Sequence, residues 1–364
     1  MKSSKPQLKV MHIISGDLWA GAEIQAYTLL GQLRTQCKLS VVLLNPGRLA
    51  DDLRSLRVPV TIIDETQVNS LSILLRLRCI MKEFRPDVVH THRQKENVLG
   101  SFANMLSVRA KCIRTIHGAP EFEPKGWHRF QAVLDRFSGQ YLQDSVISVS
   151  SELKGKLERI FASKKIHVVK NGVDIECLKE AVGEADFRKL QPDHMHIGFI
   201  GRLEPVKRGD IFLKMIPILM EIVPEKKFHF HVVGEGTMRC KLECQAGDMG
   251  IKDVVTFHGH RNDTPTCIKS LDAMVICSDH EGTPMTALEA LAIGTPLIAH
   301  NVGGLREIFL DSPEYLVDDH SSIGYAKSLK KVLFESTDPV VLNSEYFSSF
   351  NAARTLDIYN SVIV

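Results

Sequence analysis

The stretch Glu281–Pro296, EGTPMTALEALAIGTP, places one carboxylate just ahead of a helix start and a second, Glu289, two turns further on. An ionised carboxylate accepts two hydrogen bonds in a plane, which suits the vicinal hydroxyls of a ribose or a sugar ring. Thr283 reads as the N-cap and Pro284 as the first helical residue, with Gly294 and Pro296 as the stop. Leu288, Leu291 and Ala292 form the buried stripe, the N–H groups near Met285, Thr286 and Ala287 at the helix start could meet a phosphate, and Gly282 is a further donor-binding candidate. Glu289 stands about 9 Å along the axis from the cap, close enough to reach the same ligand at another level. The plainer alternative is a helix-dipole glutamate and a surface glutamate.

A second group is GRLEPVKRGD, from Gly201 to Asp210. Gly201 permits close backbone approach, Arg202 offers a fork of donors and Lys207 a point charge, a set that matches a diphosphate. A third is SGDLWAGAEIQ, where Gly16 and Gly21 lead into a helix from about Ala22 and could cradle phosphate. It does not read GxGxxG, and VVGEGTMRC, with Gly234 and Gly236, also lacks a third glycine, so a dinucleotide fingerprint is not supported. His90 and His92 in DVVHTH face the same way on a strand, which allows a metal pair but shows no third ligand; bonding to neighbouring loops is the plainer role. His117, in TIHGAP, is better placed to present an imidazole to a ligand.

These residues follow short β-branched runs: KVMHIIS, LSVVLLN, VTIID, DVVHTH, CIRTIH, SVISVS and HVVKNG, then HIGFIGRL, FHFHVVGEG, VVTFHG, AMVICS, PLIAH and EYLVD. Runs of this length separated by helical segments indicate parallel strands covered on both faces, here in two series. The expected class is α/β, with two doubly wound parallel-sheet domains facing a central cleft. The charged segment from Asn171 to Met195 sets the boundary, giving domains 1–172 and 173–345.

The chain has 364 residues, 44% hydrophobic and 24% charged, which suits a folded protein of two domains and excludes wholesale disorder. Its eight cysteines are scattered without a CxxC, pointing to a reducing compartment; Cys240 and Cys244 could share a helix face, where packing is the expected role. No apolar run approaches the roughly 20 residues of a membrane span, so a cytoplasmic protein is expected. Residues 1–170 carry 26 Lys+Arg against 15 Asp+Glu, or +11, and the remainder 19 against 28, or −9, which together give the chain's +2. That asymmetry either solvates two surfaces or lets the first half meet an anionic acceptor or the inner face of a membrane. The segment Leu71–Arg85, with Arg76, Arg78, Lys82 and Arg85 among apolar residues, reads first as a helix packed on a sheet and second as a membrane-facing one.

The combined pattern resembles retaining glycosyltransferase family 4, with the GT-B fold. The likeness runs through GAE, DVVHTH, TIHG, NGVD, GRLEPVKRGD, VVGEG, TFHGH and, above all, EGTPMTALEALAIGTPLIAHNVGGLREI with its E-x7-E element and Gly-Gly loop. The end, residues 346–364, is similar to the helix by which that family's chain returns to its first domain. The resemblance implies an amino-terminal acceptor-binding domain and a carboxyl-terminal donor-binding one. Glu281 would orient the donor sugar, Glu289 would hold the ribose, and Arg202 and Lys207 would grip the diphosphate, with Gly201 beside them. His117 would contact the sugar, the Gly21 loop would lie near phosphate and acceptor, and His258 and Arg261 would border the base.

The resemblance further implies transfer from a nucleoside diphosphate sugar to a saccharide or lipid-linked saccharide with retention, no metal, and no nucleic acid partner. DxD, the metal signature of another glycosyltransferase architecture, is absent. A sugar-nucleotide epimerase on the same fold and a non-catalytic sugar-nucleotide-binding protein are the alternatives.

Overall fold

The computed structural model describes residues 7–17, 19–118, 127–180, 187–335 and 338–363. The basic start Met1–Pro6, Leu18 of the first glycine loop, Ala119 and Pro120 of TIHGAP, residues 181–186 of the boundary segment and Val364 lie outside them. Two compact units are present: Met1–Gly172 with Glu345–Val364, and Val173–Ser344.

In the first unit β1 (Lys9–Ile14), β2 (Lys38–Leu43), β3 (Val60–Ile62), β4 (Val88–Thr91), β5 (Lys111–Ile116), β6 (Ser145–Ser148) and β7 (Ile166–Val168) form one sheet. The strand order is β3-β2-β1-β4-β5-β6-β7. Alternation along β1 divides the core. Val10 and Ile14 pack with Leu29, Leu30, Ile358 and Tyr359 on one face, from the helices Gly21–Leu33 and Ser348–Ile363. Met11 and Ile13 pack with Ile73, Leu77, Leu99 and Ala103 on the other, from the helices Ser70–Phe84 and Gln94–Met105.

The helix Ser70–Phe84 therefore packs on the sheet through Ile73, Leu77 and Met81, and Asn69 caps it by accepting from the Ser72 N–H at 2.9 Å. The closing helix Ser348–Ile363 is tied to its unit by polar bonds. Gln25 Nε2 donates to Asn351 Oδ1 at 3.0 Å, Asn351 Nδ2 donates to the Lys170 carbonyl at 2.6 Å, and the Gly172 N–H donates to Gln25 Oε1 at 2.9 Å.

The second unit holds β8 (Met195–Ile200), β9 (Phe228–Val233), β10 (Val255–Gly259), β11 (Ala273–Ile276), β12 (Leu297–His300) and β13 (Leu316–Val317) in the order β10-β9-β8-β11-β12-β13. Every strand pair in both sheets is parallel. In each sheet the chain direction of travel reverses between the first strand and the fourth, at β1/β4 and at β8/β11. Loops leaving adjacent strands diverge there and open a crevice at their carboxyl ends.

All eight cysteines are free, and Cys240 and Cys244 are exposed on the helix Arg239–Asp248, so the packing expected of them does not occur. Among the described residues no helix is long and apolar enough to cross a membrane.

Candidate functional site at the strand switch points

At the β8/β11 switch point the loop after β8 carries Gly201, Arg202 and Lys207, and the loop after β11 carries Ser278 to Pro284. The two loops are tied together by backbone and side chain. The Asp279 N–H donates to the Val206 carbonyl at 2.8 Å, and Arg208, at φ +55°, reaches Asp210 at 3.0 Å and Asp279 at 3.1 Å. His320 Nε2 meets the same Asp279 oxygen at 3.0 Å and stacks on His300 with ring centroids 3.7 Å apart.

That frame brings Lys207 onto Glu281: Nζ donates to Oε1 at 2.6 Å, and Ser278 Oγ donates to the same oxygen at 2.6 Å. The Glu281 side chain is 8% exposed and that of Lys207 21%, so the pair is shielded on the carboxylate side and open on the ammonium side. Arg202, exposed, stands near enough to Glu204 for its charge to help hold that carboxyl below its ordinary range, after the Thr237 hydroxyl and N–H and against the small cost of burial.

The glycines after β12 explain how Glu281 is seated. Gly303 has φ +58°, and a Cβ there would fall 1.9 Å from the Glu281 carbonyl oxygen. The Gly304 N–H donates to the Gly282 carbonyl at 2.8 Å, and a Cβ on it would come within 2.0 Å of that oxygen. The Gly-Gly loop is thus the surface against which the Glu281–Gly282 backbone lies.

The helix that follows begins one residue later than the sequence suggests. Pro284, in extended conformation, is its N-cap and Met285–Ile293 are helical, because the Pro284 carbonyl accepts from the N–H groups of Ala287 at 3.2 Å and Leu288 at 3.3 Å. The Ala287 N–H is therefore occupied, and Met285 and Thr286 supply the helix-start donors. Gly294 closes the helix at φ +92° as expected.

Glu289 is not a surface residue: it is 5% exposed, its Oε2 has no hydrogen-bond partner, and burial raises its pKa to about 8. Arg261 forks onto Asp263 at 2.8 and 2.6 Å and lies over the Phe187 ring at 5.9 Å. His258 belongs to a ladder in which His196 Nε2–H donates to the Gln191 carbonyl at 3.0 Å, with His231 linking His196 to His258 at 2.9 Å on either side.

The first unit has its own constellation at β1/β4. Gly21, exposed, opens the helix Gly21–Leu33. Two buried acids that the sequence reading leaves without a role stand near it. Glu23 pairs with Arg93, which also meets Asp17 at 3.1 Å, and burial outweighs the Arg93 charge to raise the Glu23 pKa. Burial likewise lifts Glu96 to about 7, against the Arg93 N–H that donates to it at 2.6 Å.

His90 and His92 have the third neighbour the sequence did not reveal. His12 pairs with His90 in the β1/β4 register, and one ligand atom from each of the three lies within 4.8 Å of the others. Each of those imidazoles is hydrogen-bonded at both nitrogens, to Thr115, Tyr359, His117 or one another. Metal binding would have to break those bonds. His117 bonds His92 at 3.2 Å through Nε2, while its Nδ1 is buried and unpartnered; burial, aided by the Arg93 and Arg114 charges, lowers its pKa to about 4.

Because the folded-state pKa of Glu289 lies above the ordinary 4.5, the native chain binds the extra proton. Its contribution to stability is full below that ordinary value and is lost as pH rises through about 8. Glu289→Gln should therefore raise Tm more at pH 8.5 than at pH 5, where the carboxyl is neutral anyway. An equal change at both pH values would contradict the burial account.

The family model described as Glycosyltransferase Family 4 matches residues 19–177, and the one described as Glycosyl transferases group 1 matches residues 184–343. The chain is 25% identical to the UDP-Gal:alpha-D-GlcNAc-diphosphoundecaprenol alpha-1,3-galactosyltransferase of Escherichia coli over 98% of its own length and 97% of that enzyme's. It is 26% identical to the D-inositol 3-phosphate glycosyltransferase of Thermobispora bispora, covering 80% of this chain and 74% of that one. Anabaena Alr3699/HepE, solved in complex with UDP-glucose, superposes with a TM-score of 0.77 at 18% identity over 98% of both chains, a likeness of fold. The β8/β11 site thus sits on a GT-B scaffold, and the chain belongs to the glycosyltransferases of the group 1 type.

Proposed function

We propose that the chain is a retaining hexosyltransferase that moves a sugar from a nucleoside diphosphate to a hydroxyl of a saccharide or lipid-linked saccharide, in the building of a polysaccharide, lipopolysaccharide or other glycoconjugate. The observation that carries this reading is the Lys207–Glu281 pair beside the start of the helix Met285–Ile293, at the β8/β11 switch point. A cation and a helix start converge where a diphosphate would lie, and a carboxylate where sugar hydroxyls would.

In this reading Lys207 and Arg202 hold the diphosphate and take up the charge that develops on it as the bond from the sugar C1 to the leaving oxygen breaks. The N–H groups of Met285 and Thr286 share that task. Glu281 accepts from the sugar hydroxyls and Glu289 from the ribose diol, which supplies the partner its Oε2 lacks in the free protein. Arg261 borders the base. The acceptor hydroxyl attacks C1 on the face the diphosphate leaves, and its proton passes to the departing phosphate oxygen, so configuration is retained without a separate base.

The two cations occupy the role a divalent ion would have, and we propose that none is needed. Uridine is the first base to test, since the E. coli relative is named for UDP-Gal and HepE was solved with UDP-glucose. With a panel of nucleotide sugars and a lipid-linked acceptor, Glu281→Ala and Arg202→Ala should each lower turnover by about 10², and the product should keep the donor's anomeric configuration. Wild-type rates in both variants would overturn the assignment. An altered sugar formed from donor alone would instead indicate an epimerase, and binding without transfer a non-catalytic protein.

A peripheral contact of a cytoplasmic enzyme with the anionic inner face of a membrane is the second part of the proposal. The helix Ser70–Phe84 leaves Leu71 66% and Leu75 46% exposed, beside the exposed cations Arg76, Lys82 and Arg85. The protein should sediment with phosphatidylserine vesicles at low salt and be released at high salt. Absence from the pellet at both salts would remove this part.

A further inference from the structure

Three neighbouring strand ends of the second unit converge on the loop that carries Glu281. The sheet order sets β12 beside β11 and β13 beside β12. His300 is the last residue of β12, and His320 follows the end of β13 by three residues. Their rings stack with centroids 3.7 Å apart and planes 7° from parallel. His300 Nδ1 meets the Ser278 carbonyl at 2.7 Å, and His320 Nε2 meets Asp279 Oδ1 at 3.0 Å. Two successive residues of the loop after β11 are thus each held by one imidazole of a single stack.

The direction of both bonds is fixed by their partners. A carbonyl and a carboxylate only accept, so His300 donates from Nδ1 and His320 from Nε2, whether either ring is neutral or charged. His320 is seated on its other side as well: its Nδ1 lies 3.0 Å from Oη of Tyr325, a fully buried residue of the helix Ser322–Phe334. Ser321, next to His320, caps that helix by accepting from the Gly324 N–H at 3.2 Å. Asp279 is held from two sides, because Arg208 reaches the same Oδ1 at 3.1 Å from the loop after β8. Ser278, 1% exposed, directs its hydroxyl to Glu281 Oε1 at 2.6 Å. The stack therefore reaches Glu281 through one intervening residue. The Lys207 loop has supports that involve neither imidazole, the Arg208–Asp210 pair at 3.0 Å and the backbone bond from Asp279 to Val206 at 2.8 Å.

We propose that His300 and His320 are positioning residues for Glu281: the stacked pair fixes the Ser278 peptide and the Asp279 side chain, and so aims the Glu281 carboxylate at the hydroxyls of the donor sugar. Both act through those two residues rather than on the reacting atoms, as supporting hydrogen bonds hold a ligand-contacting side chain to its geometry. That Glu281 meets a sugar rests on the activity proposed above; the seating of the two imidazoles does not.

The test has two arms. Long-range 1H–15N correlation of imidazole-labelled, ligand-free protein, with signals assigned by their loss in His300→Asn and His320→Gln, should show a proton on His300 Nδ1 and on His320 Nε2. A bare nitrogen at either position would overturn the proposal whether or not any nucleotide sugar binds. In the second arm UDP, UDP-glucose and UDP-galactose are titrated calorimetrically into wild type and variants. His300→Phe and His320→Phe keep a ring in the stack and remove its donor. Each should weaken binding of the nucleotide sugar by about tenfold, as for one hydrogen bond, and leave UDP affinity unchanged. His300→Asn and His320→Gln, whose amide N–H groups fall near the lost Nδ1–H and Nε2–H, should recover most of that loss. Equal losses for UDP and for the nucleotide sugar, a loss that the amide variants do not recover, or unchanged nucleotide-sugar affinity in both Phe variants would each overturn the positioning role. Wild type that binds UDP and neither nucleotide sugar would count against the proposed function instead, and the correlation arm would still decide the seating.

Discussion

A carboxylate and an ammonium 74 residues apart in sequence, Glu281 and Lys207, meet at 2.6 Å because the sheet places β8 next to β11. Strands that are neighbours across a switch point send their following loops apart, and a crevice opens between them. The structure narrows that crevice with the Asp279–Val206 backbone bond and the Arg208 bonds to Asp210 and Asp279. It sets the floor with Gly303 and Gly304, where any side chain would collide with the carbonyls of Glu281 and Gly282. A partly buried ion pair of this kind adds little net stability, since desolvation offsets the attraction. Its value is positional: each charge holds the other in place.

The first unit solves a different problem with the same sheet order. Where β1 and β4 would ordinarily present aliphatic side chains to a covering helix, His12, His90 and His92 are buried. Desolvation alone would make that costly. The cost is met by giving both ring nitrogens of each of the three a partner, and it is the neighbouring His117 whose Nδ1 has none. The second unit runs a similar ladder through His196, His231 and His258, with a backbone carbonyl at its foot. There the direction of the hydrogens is dictated outright, because a carbonyl can only accept.

The strands were legible because parallel strands covered on both faces read as continuous apolar runs, and all thirteen runs are strands, seven in one sheet and six in the other. Glu281, Lys207, Arg202 and the helix start were legible because they follow strands directly. Less visible was what seats them. Nothing near Asp279 in the sequence marks Arg208 or His320 as its partners, and the single-residue shift of the helix start depends on the Pro284 carbonyl geometry rather than on residue type. The imidazole chain was hidden for a simpler reason: its Tyr359–His12 link spans 347 residues and closes only when the last helix returns to the first sheet. The two histidines of DVVHTH raised the question of a third partner, and the sheet register, not sequence spacing, supplied it.

The central claim is a division of labour within one ion pair, with Lys207 serving the diphosphate and Glu281 the sugar. It is tested most directly by calorimetric titration of UDP, which has the diphosphate but not the sugar to be transferred, into wild type, Lys207→Ala and Glu281→Gln. Removing the cation should weaken UDP binding by about tenfold or more, the worth of a charge-assisted contact. Removing the carboxylate should leave UDP affinity unchanged or improve it, since a nearby anion is gone and Lys207 is released. A Glu281→Gln protein that loses UDP affinity as steeply as Lys207→Ala would contradict the account.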